Sequence, residues 1–260
     1  MTNNTNHQQF TTELLNPLKD SVFHQLFTNP NPQSKKALKC FLEAILQEQI
    51  SNIEIQREEL HIKDSSLNKN SMCDVNCKIN ENEFARIKIH NSDSKEYFAN
   101  QVTYYCARLL KYHTENQNKY NDIPKVYQIS ILNFIYNNSS PNELFHYKLS
   151  TEDGLTINEQ QNIIVIELPK ICKLVEELQN KTKTIQNLTT IQKWCIFILY
   201  ASTSELDSII QEIAQSDQGI MSAFTALKEI SNNENSIKRF QKELSEYSNS
   251  IQKLTKEKQQ

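Results

Sequence analysis

Asp74 is followed along the chain by three basic residues at alternate positions, Arg86, Lys88 and His90. Alternate residues of a β-strand share one face, so this spacing predicts three basic side chains on one side of a sheet. Two carboxylates converging on such a face would hold Mg²⁺, which polarises a phosphodiester and generates hydroxide from bound water. Here only the first strand offers an acid. An ammonium cannot ligate a hard cation, so Lys88 is expected to pair with Asp74 in place of a metal. Glu83 could supply a second acid, but its parity is opposite to that of Lys88, so a bulge would be needed. Asp20 reads equally as a site acid and as a first-turn residue favoured by the helix dipole.

Cys73, Cys77 and His61 invite a zinc reading. Cysteines four apart on a strand lie about 13 Å from each other at roughly 3.3 Å per residue, too far for one ion with zinc–sulfur bonds of about 2.3 Å. They read as buried structural thiols. Tyr97, Phe98, Tyr104, Tyr105 and Tyr112 could stack nucleic-acid bases, but at helical spacing the set reads first as core.

The elements that must position these residues follow from periodicity. An apolar pattern through Leu18, Val22, Phe23, Leu26 and Phe27 predicts a helix ending at Asn29-Pro30-Asn31-Pro32. A second helix is expected from Ser34 as N-cap. Strands are expected at Ile53 and Ile55, at 72–79 and at 84–90, then a long helix at 94–116. Further strands are expected at 126–136, 145–149 and 163–168. Pro169 then opens a helix, and 170–260 reads as helical throughout. Within it, Ile237, Phe240, Leu244, Tyr247, Ile251 and Leu254 form a short heptad seam. That seam suits either a terminal helix packed on its own domain or a homo-oligomer contact.

Composition narrows the chemistry. The 260 residues include only two glycines, Gly154 and Gly219, which excludes the glycine-rich loops that cradle nucleotides and the GxSxG elbow. A net charge of −3 excludes nucleic-acid binding through bulk charge, though not through a local basic cleft. The first residues have neither a basic nor an apolar signal region. The longest apolar run is far short of a membrane span, and the scattered cysteines read as reduced thiols. A soluble cytoplasmic protein is expected, with no membrane partner.

Several blocks in order carry a family resemblance: Leu18-Lys19-Asp20-Ser21-Val22-Phe23 with Leu26-Phe27, Cys73-Asp74-Val75, Ile87-Lys88-Ile89-His90, Tyr97-Phe98 through Tyr105, Tyr120 to Phe134, and Ile166-Glu167-Leu168-Pro169-Lys170. Together they resemble the recombination-promoting nuclease/putative transposase (Rpn) family of the PD-(D/E)XK nuclease superfamily. The resemblance implies an α/β fold with a restriction-endonuclease-like core, a mixed sheet flanked by helices, and a helical C-terminal extension. On this reading residues 1–12 are a disordered N-terminus, 13–180 the nuclease-like domain and 181–260 the extension, with a short coiled coil at 234–258.

The resemblance also implies a Mg²⁺-dependent endonuclease acting on double-stranded DNA, with an Asp on one strand and Glu-x-Gln on the next. Asp74 matches the Asp, and it would be the metal ligand of an active enzyme. Lys88 stands in place of the Glu, His90 of the Gln, and Gln101 of a usual helix Arg. Asp20 and Tyr105 match the family's first-helix Asp and helix Tyr. These substitutions imply a catalytically impaired copy that needs no cofactor. The competing reading is a non-catalytic module in which Arg86, Lys88 and His90 contact DNA phosphates as fixed positive groups.

Overall fold

The computed structural model describes residues 13–56, 74–91, 95–114, 120–242 and 245. Helix α1 (Asp20–Thr28) buries Val22, Phe23, Leu26 and Phe27, the stripe its periodicity predicts. Helix α2 (Pro32–Leu46) begins three residues earlier than expected. Its N-cap is Asn31, whose side chain accepts from the Ser34 backbone N–H at 2.7 Å. Pro32 accounts for the shift, since its fixed φ suits a first helical position and its missing N–H needs no partner there.

Strands β1 (Ile53–Ile55), β2 (Val75–Ile79) and β3 (Glu83–His90) form an antiparallel meander. Helix α3 (Lys95–Thr114) then crosses over to β4 (Lys125–Leu132), which lies parallel to β3. Strand β6 (Gln161–Glu167) runs parallel to β4, and β5 (Leu144–Tyr147) closes the edge antiparallel to β6. The six-stranded order is β1-β2-β3-β4-β6-β5. β4 stops at Leu132 rather than 136, where the chain turns so that Phe134 meets the edge of Phe98 on α3. Gly154 turns the β5–β6 connection at φ 85°, a conformation costly for residues with a Cβ.

Beyond β6 the expected continuous helix is interrupted. Pro169 opens a single 3₁₀ turn (Leu168–Ile171) that leads into α4 (Cys172–Gln179), followed by α5 (Thr190–Tyr200), α6 (Asp207–Ser216) and α7 (Gln218–Ser231). The breaks have local causes. Thr189 and Gln192 form a reciprocal capping box at the start of α5, and the Asp217 side chain caps α7. A further helical stretch covers 234–242. Phe240 of the heptad seam is partly buried against the chain's own core; Leu244, Tyr247, Ile251 and Leu254 lie outside the described residues.

The two faces of the sheet differ. Val75, Cys77, Ile79, Ala85, Ile87, Ile89, Ile129 and Ile131 join α1, α2 and the C-terminal helices in one large apolar core. Trp194 sits at its centre, its ring centroid 5.1 Å from that of Phe41. Helix α7 packs closely on α2: a Cβ at Gly219 would collide with Cys40. The opposite face is covered by α3, and there a polar patch on β2, β3 and β4 lies between two small apolar clusters, one around Phe98, Leu132 and Val165 and one around Leu109 and Val126.

Candidate functional site

Strand alternation and register assemble this polar face. Asn76 on β2, Arg86 on β3 and Gln128 on β4 are aligned across the sheet, and Lys88 and Ser130 form the next row. Asp74 precedes the first paired residue of β2, and continuing the register places it opposite Lys88 and diagonal to Arg86. The side chains meet accordingly. Arg86 Nε donates to Asp74 Oδ2 at 2.9 Å, and Arg86 Nη2 donates to the same oxygen. Lys88 Nζ donates to Asp74 Oδ1 at 3.2 Å. Arg86 Nη1 reaches Gln128 Oε1 at 3.4 Å, and the guanidinium lies 3.7 Å from the ring centroid of Tyr105 on α3. Each oxygen of the Asp74 carboxylate is therefore engaged by a cation.

The cluster is buried. Asp74 is 7% exposed and Arg86 2%, and the Lys88 side chain, at 13%, is the most open of the three charged groups. One carboxylate faces two cations, so the site holds an excess of one positive charge. His90 does not add to it. Burial, reinforced by Lys88, lowers its pKa to about 3, leaving a neutral imidazole at neutral pH. Its ring meets Phe98 edge-on at 5.1 Å. Asn76 Oδ1, Ser130 Oγ and His90 Nε2 line the same face as buried polar atoms without a hydrogen-bond partner. Buried polar atoms are nearly always paired, so three unpaired atoms beside the cationic cluster set this part of the sheet face apart from the apolar core on the other side.

The expected residues distribute unevenly. Asp74, Arg86, Lys88, His90 and Tyr105 come together. Asp20 opens α1, whose approach to the end of β3 is fixed by Asn91 Nδ2 donating to the Leu18 carbonyl at 3.2 Å. Arg86, expected among the phosphate contacts, instead has its guanidinium enclosed between Asp74, Gln128 and Tyr105. Glu83 takes no part: it sits at the start of β3 and accepts from Asn80 Nδ2 at 3.0 Å. Cys77 faces the apolar core, where burial pushes its thiol up to about 12; Cys73 and His61 lie outside the described residues. Tyr97, Tyr104 and Tyr112 are exposed, so only Phe98 and Tyr105 of the aromatic set are core. The reason is helical geometry: at 100° per residue these three fall on the face turned away from the sheet.

The sequence reading does not include Asn76, Gln128, Ser130 or His24. Gln128 and Ser130 stand two apart within an otherwise apolar strand, which is the signal that one face of β4 is polar. His24, one turn beyond Asp20, lies close enough to Asp74 to feel its charge, although burial outweighs that and lowers its pKa.

The donor set does not fit Mg²⁺. Magnesium needs near-octahedral oxygen ligands supplied by one or two carboxylates. Asp74, the acid of this cluster among the described residues, already has both oxygens engaged by cations, and the neighbouring strand position carries an ammonium. Among the described residues, no group of three or more His, Cys, Asp or Glu is placed to hold a metal.

A mixed sheet with an antiparallel meander, a crossover helix and parallel central strands, flanked by helices on both faces, is the architecture of a restriction-endonuclease-like α/β core. The family model described as PD-(D/E)XK nuclease family transposase matches residues 17–257, and the chain belongs to that family. No curated protein and no solved structure matches it significantly. Among the described residues no helix is long and apolar enough to cross a membrane.

Proposed function

We propose that this chain is a member of the nuclease family whose metal-dependent cleavage is impaired or lost, and which retains a DNA-binding role linked to recombination or transposon-like elements. The observation that carries the reading is the double engagement of Asp74. Arg86 and Lys88 neutralise the carboxylate that a metal would need, and they leave one positive charge over. A buried ion pair with good hydrogen-bond geometry is costly to break, so a divalent cation would have to displace two bound cations to gain one ligand. The surplus charge suits a phosphate. Lys88 is the least buried charged member of the cluster, which supports it as the group that meets a phosphate.

Plasmid nicking tests this directly. Wild type is expected to nick supercoiled DNA no faster in Mg²⁺ or Mn²⁺ than Asp74→Asn does. Lys88→Glu, which restores the second carboxylate, is the variant expected to gain cleavage. Metal-dependent nicking by wild type that Asp74→Asn abolishes while remaining folded would overturn the reading.

A further inference from the structure

The outer face of α3 carries a feature that the buried cluster does not use. Tyr97, Gln101, Tyr104, Arg108, Lys111 and Tyr112 fall within one stripe of the helix surface at 100° per residue. The three tyrosines are 55%, 45% and 38% exposed. Arg108 Nη1 donates to the Tyr104 hydroxyl at 3.3 Å, with its guanidinium 5.6 Å from the ring centroid, so the cation and the ring are held together at the surface. From 97 to 114 the sequence contains no acidic residue, although the chain as a whole is acidic. The stripe spans about 22 Å along the helix axis at 1.5 Å per residue. Flanking this stripe, the same helix places Tyr105 over Arg86, so the surface stripe and the cationic cluster share one helix.

We infer that the exposed face of α3 binds single-stranded DNA, its tyrosines stacking on unpaired bases while Arg108 and Lys111 follow the phosphates. Exposed rings interleaved with cations match the chemistry of single-strand platforms, which combine sequence-tolerant stacking with a basic track. Duplex DNA hides its base faces and offers the rings nothing to stack on. A protein partner of acidic surface would use the cations but not the ring faces. The inference rests on the DNA reading above and specifies the form of DNA and the surface that meets it.

Fluorescence anisotropy of the full chain with labelled oligo(dT) and with a duplex of equal length is the test. Wild type is expected to prefer oligo(dT). The double variant Tyr97→Ala/Tyr104→Ala is expected to weaken that binding at least about tenfold, since each stacked base is worth a factor of several or more. Arg108→Gln/Lys111→Gln is expected to lower the slope of log K against log salt by about 1.4 for a single strand. All four positions are at the surface, and unchanged circular dichroism and melting confirm that the variants are folded. Equal or tighter binding to duplex, or oligo(dT) binding unaffected by the tyrosine changes, would overturn the α3 surface and leave the DNA reading intact. Failure of wild type to bind either form would overturn the DNA reading itself.

Discussion

Asp74 and Glu167 are both buried carboxylates on the same sheet, each beside a lysine, yet their surroundings are opposite in kind. Glu167, at the end of β6, is fully buried and pairs with one cation, Lys170, at 3.1 Å. Its other oxygen accepts from the Asn137 backbone N–H at 2.9 Å, and Lys170 donates to the Ser140 carbonyl at 2.7 Å while lying 4.4 Å from the Phe145 ring centroid. Acid and base balance, and both fasten the connection between β4 and β5. At Asp74 two cations meet one acid, and three neighbouring residues, Asn76, Ser130 and His90, leave a buried polar atom unpaired, whereas at Glu167 only Oε2 lacks a hydrogen bond and it is ion-paired with Lys170. The balanced pair is explained by the fold it holds. The Asp74 cluster instead sets two cations against one acid among the described residues, an excess of charge that its own ion pairs do not balance.

Mutation of the acids should separate the two regions most strongly. Breaking a buried pair by removing one member costs about 3–5 kcal/mol. Glu167→Gln is expected to fall in that range by urea unfolding. Asp74→Asn is expected to cost at least as much, because it strands two buried cations rather than one. A loss at Asp74→Asn well below that at Glu167→Gln would mean that the Asp74 cluster is not a closed ion-pair network.

The lysines sharpen the contrast. Lys170→Met should cost about 3 kcal/mol, since it leaves Glu167 buried without its cation. Lys88→Met should cost less than about 1 kcal/mol, because Arg86 still neutralises Asp74 through two donors. The same Lys88 change should weaken DNA binding. A large stability loss with unchanged DNA binding would place Lys88 in the structural class of Lys170.

A further effect concerns pH. The His90 pKa of about 3 lies below the ordinary value near 6.5, so the unfolded chain binds more protons than the folded one between those values. Stability therefore falls as pH drops from about 6.5 towards 3. His24 and His113, both lowered chiefly by burial, act in the same direction. His90→Gln should flatten part of the fall in Tm across that window. An unchanged profile would show that His90 is not held neutral by its burial.

How far the sequence reveals these regions depends on the distance over which each is specified. The order of elements and the common face of Arg86, Lys88 and His90 follow from local periodicity, and both appear in the structure. The pairing of Lys88 with Asp74 is also local enough to read, since it needs only the two strands and their parity. Arg86 as the main partner of Asp74 is not readable in the same way. It depends on the register that sets Asn76 opposite Arg86, and on α3 lowering Tyr105 over the guanidinium. The start of α2 was misplaced because Ser34 and Asn31 are both good caps, and Pro32 decides between them. The exposure of Tyr97, Tyr104 and Tyr112 turns on which side of α3 meets the sheet, and the apolar residues on both of its faces leave that choice to packing.

The central claim is that Arg86 and Lys88 occupy the Asp74 carboxylate to the exclusion of a metal. The most direct measurement is a Mn²⁺ titration followed by electron paramagnetic resonance, in which bound ions lose the sharp signal of free Mn²⁺. Superimposable titrations are expected for wild type and Asp74→Asn, and one additional site in Lys88→Glu. A single Mn²⁺ bound by wild type and lost in folded Asp74→Asn would contradict it.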